Sequence, residues 1–155
     1  MADALQPGDK APAFDLPTEN GRVRLSDFAG RKLALYFYPK DDTAGCTTEA
    51  KGFTEAAAEF AAAGATVVGV SKDSPASHGK FKAKHDLDVL LGSDGDGAVV
   101  EAYGVWIQKS MYGRQYMGVD RSTFLIDGDG VIRQVWRKVK VPGHVAQVLS
   151  AAKAL

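Results

Sequence analysis

Apolar positions along this chain gather into short runs separated by polar, glycine-bearing turns, and that pattern predicts strands first. Residues 33–39 (LALYFYP) are continuously apolar and aromatic and end on proline, as expected of a central strand buried on both faces. Residues 65–71 (ATVVGVS) predict a second buried strand, and residues 88–91 a short third one. Apolar pieces at 14–16 and 23–25 surround Asn20-Gly21, a favoured hairpin dipeptide, so an N-terminal β-hairpin is expected, followed by a helical turn opened by Ser26-Asp27. Residues 122–127 and 131–137 flank Gly128-Asp129-Gly130, a second hairpin signal.

Between these runs the period lengthens. Ala50, Phe53, Ala57, Phe60 and Ala61 recur at three- and four-residue steps, which predicts a helix over 47–63 with Gly64 as its stop. Ser74-Pro75 opens a helix reaching about His85, with proline in its first turn. Residues 98–103 predict a short helix after Asp94-Gly95-Asp96-Gly97. Residues 142–154 predict a C-terminal helix carrying Val145, Val148, Leu149 and Ala152 on one side. Residues 109–120 have little periodicity and read as a loop with some extended structure. With no linker or repeat in view, residues 1–155 are expected to form one α/β domain, a mixed sheet covered by helices.

Composition removes several function classes. Hydrophobic residues make up 45% and charged residues 25%, the mix of a soluble globular chain. Lys plus Arg and Asp plus Glu are 19 each, so no basic field draws in nucleic acid or an anionic membrane. Residues 1–14 show no basic segment leading into an apolar one, so no signal peptide is expected. The apolar stretch 61–70 is about half of the ~20 residues that a bilayer span needs. The expected setting is the reducing cytoplasm. Cys46 is the only cysteine, which excludes an internal disulfide, a CxxC pair and a multi-cysteine zinc site.

Cys46 falls where the apolar run 33–39 hands over, through the polar residues 40–45 (KDDTAG), to the predicted helix. A helix N-terminus favours negative charge. A free thiol titrates near 8.5 and is only about 3% thiolate at pH 7. Bringing a thiol to ~6 takes roughly 3.4 kcal/mol, against ~0.3–2 kcal/mol from a helix end, so a cation or further donors must supply the rest. Free cysteine is also among the most buried residue types, and a small buried hydrophobe is the competing reading. The local chemistry leaves both open.

Pro39, Thr43 and Cys46 match the P-x-x-x-T-x-x-C pattern of the peroxiredoxins. The surrounding residues 38–50 (YPKDDTAGCTTEA) closely resemble the bacterioferritin-comigratory-protein, or Q-type, branch. Residues 120–127 (DRSTFLID) resemble that branch's second motif, whose arginine, here Arg121, reaches the cysteine. GDKAPAFDL near the start and SDGDGAVVEAYGV resemble the family too, so the likeness spans nearly the whole chain. It implies a thioredoxin-like fold and a thiol-dependent peroxidase acting on hydrogen peroxide and organic hydroperoxides, with no cofactor and no metal.

The resemblance assigns roles. Cys46 is the peroxidatic nucleophile and becomes a sulfenic acid. Arg121 supplies positive charge and hydrogen bonds to the peroxide. Thr43 has a hydroxyl that can donate to the peroxide and accept from elsewhere, and Pro39 shields the thiolate from water. Glu49, one turn after Cys46, is placed to orient Arg121, although an exposed helical carboxylate is the plainer reading. The plain alternatives for Arg121 and Thr43 are a surface residue at a strand start and a helix N-cap.

Two positions depart from the branch. Many members carry a resolving cysteine five residues after the peroxidatic one; here that position is Lys51. Proline often stands two residues before the cysteine; here it is Ala44. The first departure implies a one-cysteine enzyme that depends on an external thiol: thioredoxin, glutaredoxin with glutathione, or another low-molecular-weight thiol. A monomer is expected, with a weak dimer as the other state. The competing function is a thioredoxin-like redox-sensing or binding module without turnover.

Other features read as structural. The two Asp-Gly-Asp-Gly segments lack the spaced carboxylates of a calcium loop and read as turns. His78, His85 and His144 have no metal spacing and read as solvated helix residues. Residues 137–140 (RKVK) read as a solvated strand end, and Tyr103, Trp106, Tyr112 and Tyr116 as core aromatics. No HExxH, GxxxxGK or GxGxxG motif occurs.

Overall fold

In the computed structural model, which describes residues 4–155, the N-terminal hairpin forms from β1 (Asp15–Thr18) and β2 (Gly21–Arg24). Thr18 pairs with Gly21, so Glu19 and Asn20 make the turn, one residue earlier than the Asn20-Gly21 signal suggests. The first three residues of the stretch searched for a signal peptide lie outside the described residues. A 3₁₀ turn over Leu25–Phe28 leads to β3 (Lys32–Phe37). Leu33, Leu35 and Phe37 join one hydrophobic core, and Ala34, Tyr36 and Tyr38 the other. That two-sided burial is why the sequence run is continuous rather than alternating.

The expected helix over 47–63 is two helices, α1 (Ala44–Glu55) and α2 (Ala57–Ala62), joined at Ala56. Thr54 returns its hydroxyl to the Ala50 carbonyl and accepts the Asp88 N–H, a bonding pattern that bends helices. After β4 (Ala65–Ser71) comes α3 (Pro75–His85), whose N-cap Ser74 accepts the Ser77 N–H at 3.1 Å. Then follow β5 (Leu90–Ser93) and α4 (Ala98–Ala102).

The segment read as a loop over 109–120 is instead a hairpin. β6 (Trp106–Met111) and β7 (Arg114–Val119) pair antiparallel in a separate two-stranded sheet. Tyr112 and Gly113 form its turn, both at positive φ. Most of its residues are exposed or half-exposed, so no alternation marks it in the sequence. The aromatic reading is corrected with it: Tyr103 is core and Trp106 half-buried, but Tyr116 is 44% and Tyr112 97% exposed.

β8 (Ser122–Ile126) and β9 (Ile132–Trp136) form the predicted hairpin, and α5 (His144–Ala154) closes the chain. The main sheet has the order β5-β4-β3-β8-β9. β3, β4 and β5 run parallel, while β8 and β9 add antiparallel pairs. One face is covered by α1, α2, α3 and α5, the other by the N-terminal hairpin and α4. Gly69 is needed in β4, because a Cβ there would stand 2.6 Å from the Tyr36 ring. Among the described residues, no helix is long and apolar enough to cross a membrane.

Candidate active site

The topology carries the two separated sequence motifs to one place. β3 delivers the chain to α1, and β8 lies beside β3, so the residue that enters β8 stands next to the start of α1. That residue is Arg121. Its backbone is fixed on both sides: the Asp120 N–H donates to the Val105 carbonyl, and the Arg121 carbonyl accepts from the Val139 N–H.

Cys46 is the third residue of α1, inside the helix rather than before it. The first intrahelical bond runs from the Thr47 N–H to the Thr43 carbonyl, so the N–H groups of Ala44, Gly45 and Cys46 lie at the positive end of the helix. Arg121 Nη2 stands 3.2 Å from Cys46 Sγ. Its Nη1 donates to Glu49 Oε1 at 2.7 Å. Cys46 and Glu49, three residues apart, share a helix face, and one guanidinium bridges them. Gly45 permits this approach, since a Cβ there would come within 3.2 Å of Arg121 Nη2.

Cys46 is both buried and set against a charge. The residue is 1% exposed and packs in a core cluster with Tyr36, Tyr38 and Ala50, yet its sulfur faces a cation. Glu49 corrects the exposed-carboxylate reading, because it is fully buried. Burial pushes Glu49 up to about 7 against the pull of Arg121. Its Oε2 has no hydrogen-bond partner, so a proton held there breaks no bond. Burial also opposes charge on Arg121, but Glu49 and Cys46 beside it raise it above its ordinary value, and it is a cation throughout.

Thr43 is the N-cap of α1 without a side-chain capping bond. Its hydroxyl donates to the Lys40 carbonyl at 2.9 Å, so its proton is already used and its lone pairs remain to accept. Pro39 is half-buried between Tyr38 and this loop. Lys51, five residues after Cys46, is exposed on α1.

Residues 7–135 match the model of the AhpC/TSA family. The chain is 49% identical to peroxiredoxin Bcp of Bacillus subtilis over 150 residues, 96% of each chain. It is 48% identical to peroxiredoxin Bcp of Xanthomonas campestris over 147 residues, 93% of this chain and 92% of that one. This chain belongs to the peroxiredoxins.

Solved structures agree. The bacterioferritin comigratory protein of Xanthomonas campestris, studied for alkyl peroxide reduction in trapped-intermediate and ligand complexes, superposes with a TM-score of 0.88. It is 44% identical, over 99% of this chain and 98% of its own. A cysteine-to-serine mutant of Xylella fastidiosa PrxQ gives 0.92 at 39% identity, over 99% and 98%. The fold is the thioredoxin-like fold of peroxiredoxins, and the protein is a thiol-dependent peroxidase of the Bcp/PrxQ branch.

Sequence reasoning missed several polar groups of this peroxiredoxin. His78 and His144 are buried, not solvated, and His85 is largely covered. His144 Nε2 meets the Thr123 hydroxyl at 2.8 Å, and burial, with Arg121 adding to it, pushes its pKa down to about 4. Lys109 on β6 was lost in the supposed loop. Its ammonium is pushed down by burial and lies in the electrostatic surroundings of Asp120, Arg121 and Cys46. No motif flags these residues, because each acquires its role only when distant strands pair.

Glu49 sets a pH window. A carboxyl raised from 4.5 in the unfolded chain to about 7 contributes stability that is complete below pH 4.5 and lost as pH rises through 7. The limit is about 3 kcal/mol. Glu49→Gln keeps an acceptor for Arg121 and removes the titration. Urea unfolding of this variant should lose much less stability between pH 5 and 8 than the parent, and Cys46 oxidation should slow ~10-fold as the charge on Arg121's anchor is removed. An equal loss in both proteins would assign the titration elsewhere.

Proposed function

We propose that Cys46 is the peroxidatic nucleophile, held by Arg121 and Glu49, with Thr43 and Pro39 completing the pocket. The observation that carries this is the Glu49–Arg121–Cys46 chain of contacts, 2.7 and 3.2 Å long. The Cys46 thiolate attacks one peroxide oxygen in line with the O–O bond. A sulfur–oxygen bond forms, the O–O bond breaks, and the second oxygen leaves with a proton as water or alcohol. Arg121 donates to the oxygens as charge develops on them, and Thr43 accepts the proton-bearing end of the peroxide. Pro39 presents an apolar ring and no N–H donor to the thiolate.

The sulfenic acid is then attacked by an external thiol, releasing water and forming a mixed disulfide. A second thiol restores Cys46. Thioredoxin, glutaredoxin with glutathione, and another low-molecular-weight thiol are the candidate donors. Low exposure of Cys46 supports a small thiol, which reaches the sulfur through a narrower opening than a protein needs. Organic hydroperoxides are included as substrates by analogy with the alkyl peroxide reduction studied in the Xanthomonas relative. The chain is proposed to act as a single domain, as a monomer, in the cytoplasm.

Rapid mixing with hydrogen peroxide tests the oxidation half, and steady-state assays against separate thiols test the rest. Cys46 oxidation no faster than that of free cysteine would refute the reading, and oxidation without turnover on any thiol would favour a redox sensor. Excess peroxide without thiol should carry Cys46 on to sulfinic acid, because no second cysteine traps the sulfenate. Mass spectrometry should show a gain of two oxygens; arrest at one oxygen would contradict the one-cysteine cycle.

A further inference from the structure

The loop between β3 and α1 carries Pro39 and Thr43, and both of its aspartates are bound to α3. Asp42 accepts from Lys84 and from His85, each at 2.7 Å, at the exposed C-terminal end of α3. Asp41 is buried against the first turns of α3. It accepts the Ser77 hydroxyl at 2.7 Å and the Tyr38 hydroxyl at 2.6 Å, and lies 2.7 Å from His78 Nδ1. Its own N–H donates to Asp73 Oδ2, which also takes the Ser71 hydroxyl. Asp41, Asp73 and His78 are ligand-type residues within 4.8 Å of one another, but hydrogen bonds already occupy their facing atoms.

Both ring nitrogens of His78 have partners. Its Nε2 faces the Gly92 carbonyl at 3.2 Å, and a carbonyl can only accept, so Nε2 carries a proton. Its Nδ1 faces a carboxylate oxygen, which also accepts. Burial alone would raise Asp41, yet the bonds from His78, Tyr38 and Ser77 hold it below the usual carboxylate range. His78 is thereby held at both ring nitrogens, with no solvent exposure. Around it stand Asp41 and Tyr38 from the β3–α1 side, Asp73 from the turn after β4, and Glu19 of the N-terminal hairpin, which Lys82 neutralises. A buried polar network whose members are hydrogen-bonded to one another holds its parts in one arrangement.

We propose that His78 and Asp41 are positioning residues for peroxide reduction: their buried contact holds the 39–43 loop so that Thr43 meets the peroxide where Arg121 and Cys46 require it. This rests on the peroxide-binding role of Thr43. Asp41 precedes Thr43 by two residues, and Thr43 is itself tied to Lys40 inside the loop. A displacement of about 1 Å in a group that orients a reactant is enough to cost ~10²-fold in rate. Arg121 and Glu49 reach Cys46 from β8 and α1, independently of the loop. Loss of the anchor should therefore impair peroxide attack and spare the intrinsic reactivity of the thiol.

The experiment compares Asp41→Asn and Ser77→Ala with the parent by two rates: Cys46 oxidation by hydrogen peroxide and Cys46 alkylation by iodoacetamide. Asp41→Asn should slow oxidation ~10–100-fold and Ser77→Ala ~2–5-fold, with alkylation within about twofold of the parent. Oxidation and alkylation falling together, or an unchanged oxidation rate, would overturn the proposal. Should Asp41→Asn not fold, Ser77→Ala still decides, because it removes one bond to Asp41 and leaves the carboxylate in place. Thr43→Val separates the two readings. If it oxidises at the parent rate, the role of Thr43 fails; if it is slow while Asp41→Asn and Ser77→Ala are not, only the anchor fails.

Discussion

Cys46→Ser should leave no peroxide consumption above the buffer background while preserving the fold. Serine keeps the shape of the side chain but not the chemistry, since a hydroxyl stays protonated where a thiol ionises, and an oxygen nucleophile forms no sulfenic acid. Serine is also tolerable at this position. The site is 1% exposed, and a buried hydroxyl needs a partner, but Arg121 Nη2 already stands 3.2 Å from the atom being replaced. Circular dichroism and the melting temperature should therefore change little. The chain has no other cysteine, so no second thiol can carry residual turnover. Continued thiol-dependent peroxide loss in this variant would place the reaction at another group.

The parts of this molecule that were legible in the sequence share a physical cause. β3 was readable because burial on both faces writes a continuous apolar run, and α3 because Ser74 and Pro75 act on the backbone within one turn. Cys46 and Arg121 were readable because each sits in a local motif that resembles a known one. What escaped depends on partners remote in the chain. Glu49 is charged and on a helix, and nothing nearby in sequence says that an arginine from β8 will cover it. His78 looks like any polar helix residue until Gly92 and Asp41 close on its two nitrogens. The β6–β7 hairpin was lost because both its faces are largely wet, and its Tyr112-Gly113 turn lacks the usual dipeptide.

Arg121→Ala should slow Cys46 oxidation by about 10²–10³-fold, the usual cost of removing a donor aimed at developing charge. Two effects act together. The thiolate loses the cation at 3.2 Å, and the peroxide loses donors as its O–O bond breaks. Stability should respond with a definite sign. Without Arg121, nothing opposes the burial that already pushes Glu49 up to about 7, so its carboxyl moves higher still and takes a proton at neutral pH. A protonated Glu49 needs no cation, so near pH 6 the variant should be only mildly less stable than the parent. Above pH 7 the parent can ionise Glu49 against Arg121 and the variant cannot. The difference should widen by at most ~1.4 kcal/mol per pH unit until the variant's own carboxyl ionises. Denaturant unfolding at pH 6 and 8.5 measures this gap, and stopped-flow mixing with peroxide measures the rate. A gap that does not grow with pH would separate Glu49 from Arg121 in function, and an unchanged oxidation rate would remove Arg121 from the reaction. Arg121→Lys divides the two effects, since an ammonium restores the charge but cannot reach Sγ and Glu49 at once with the fork of a guanidinium. It should recover most of the stability at high pH and only part of the rate.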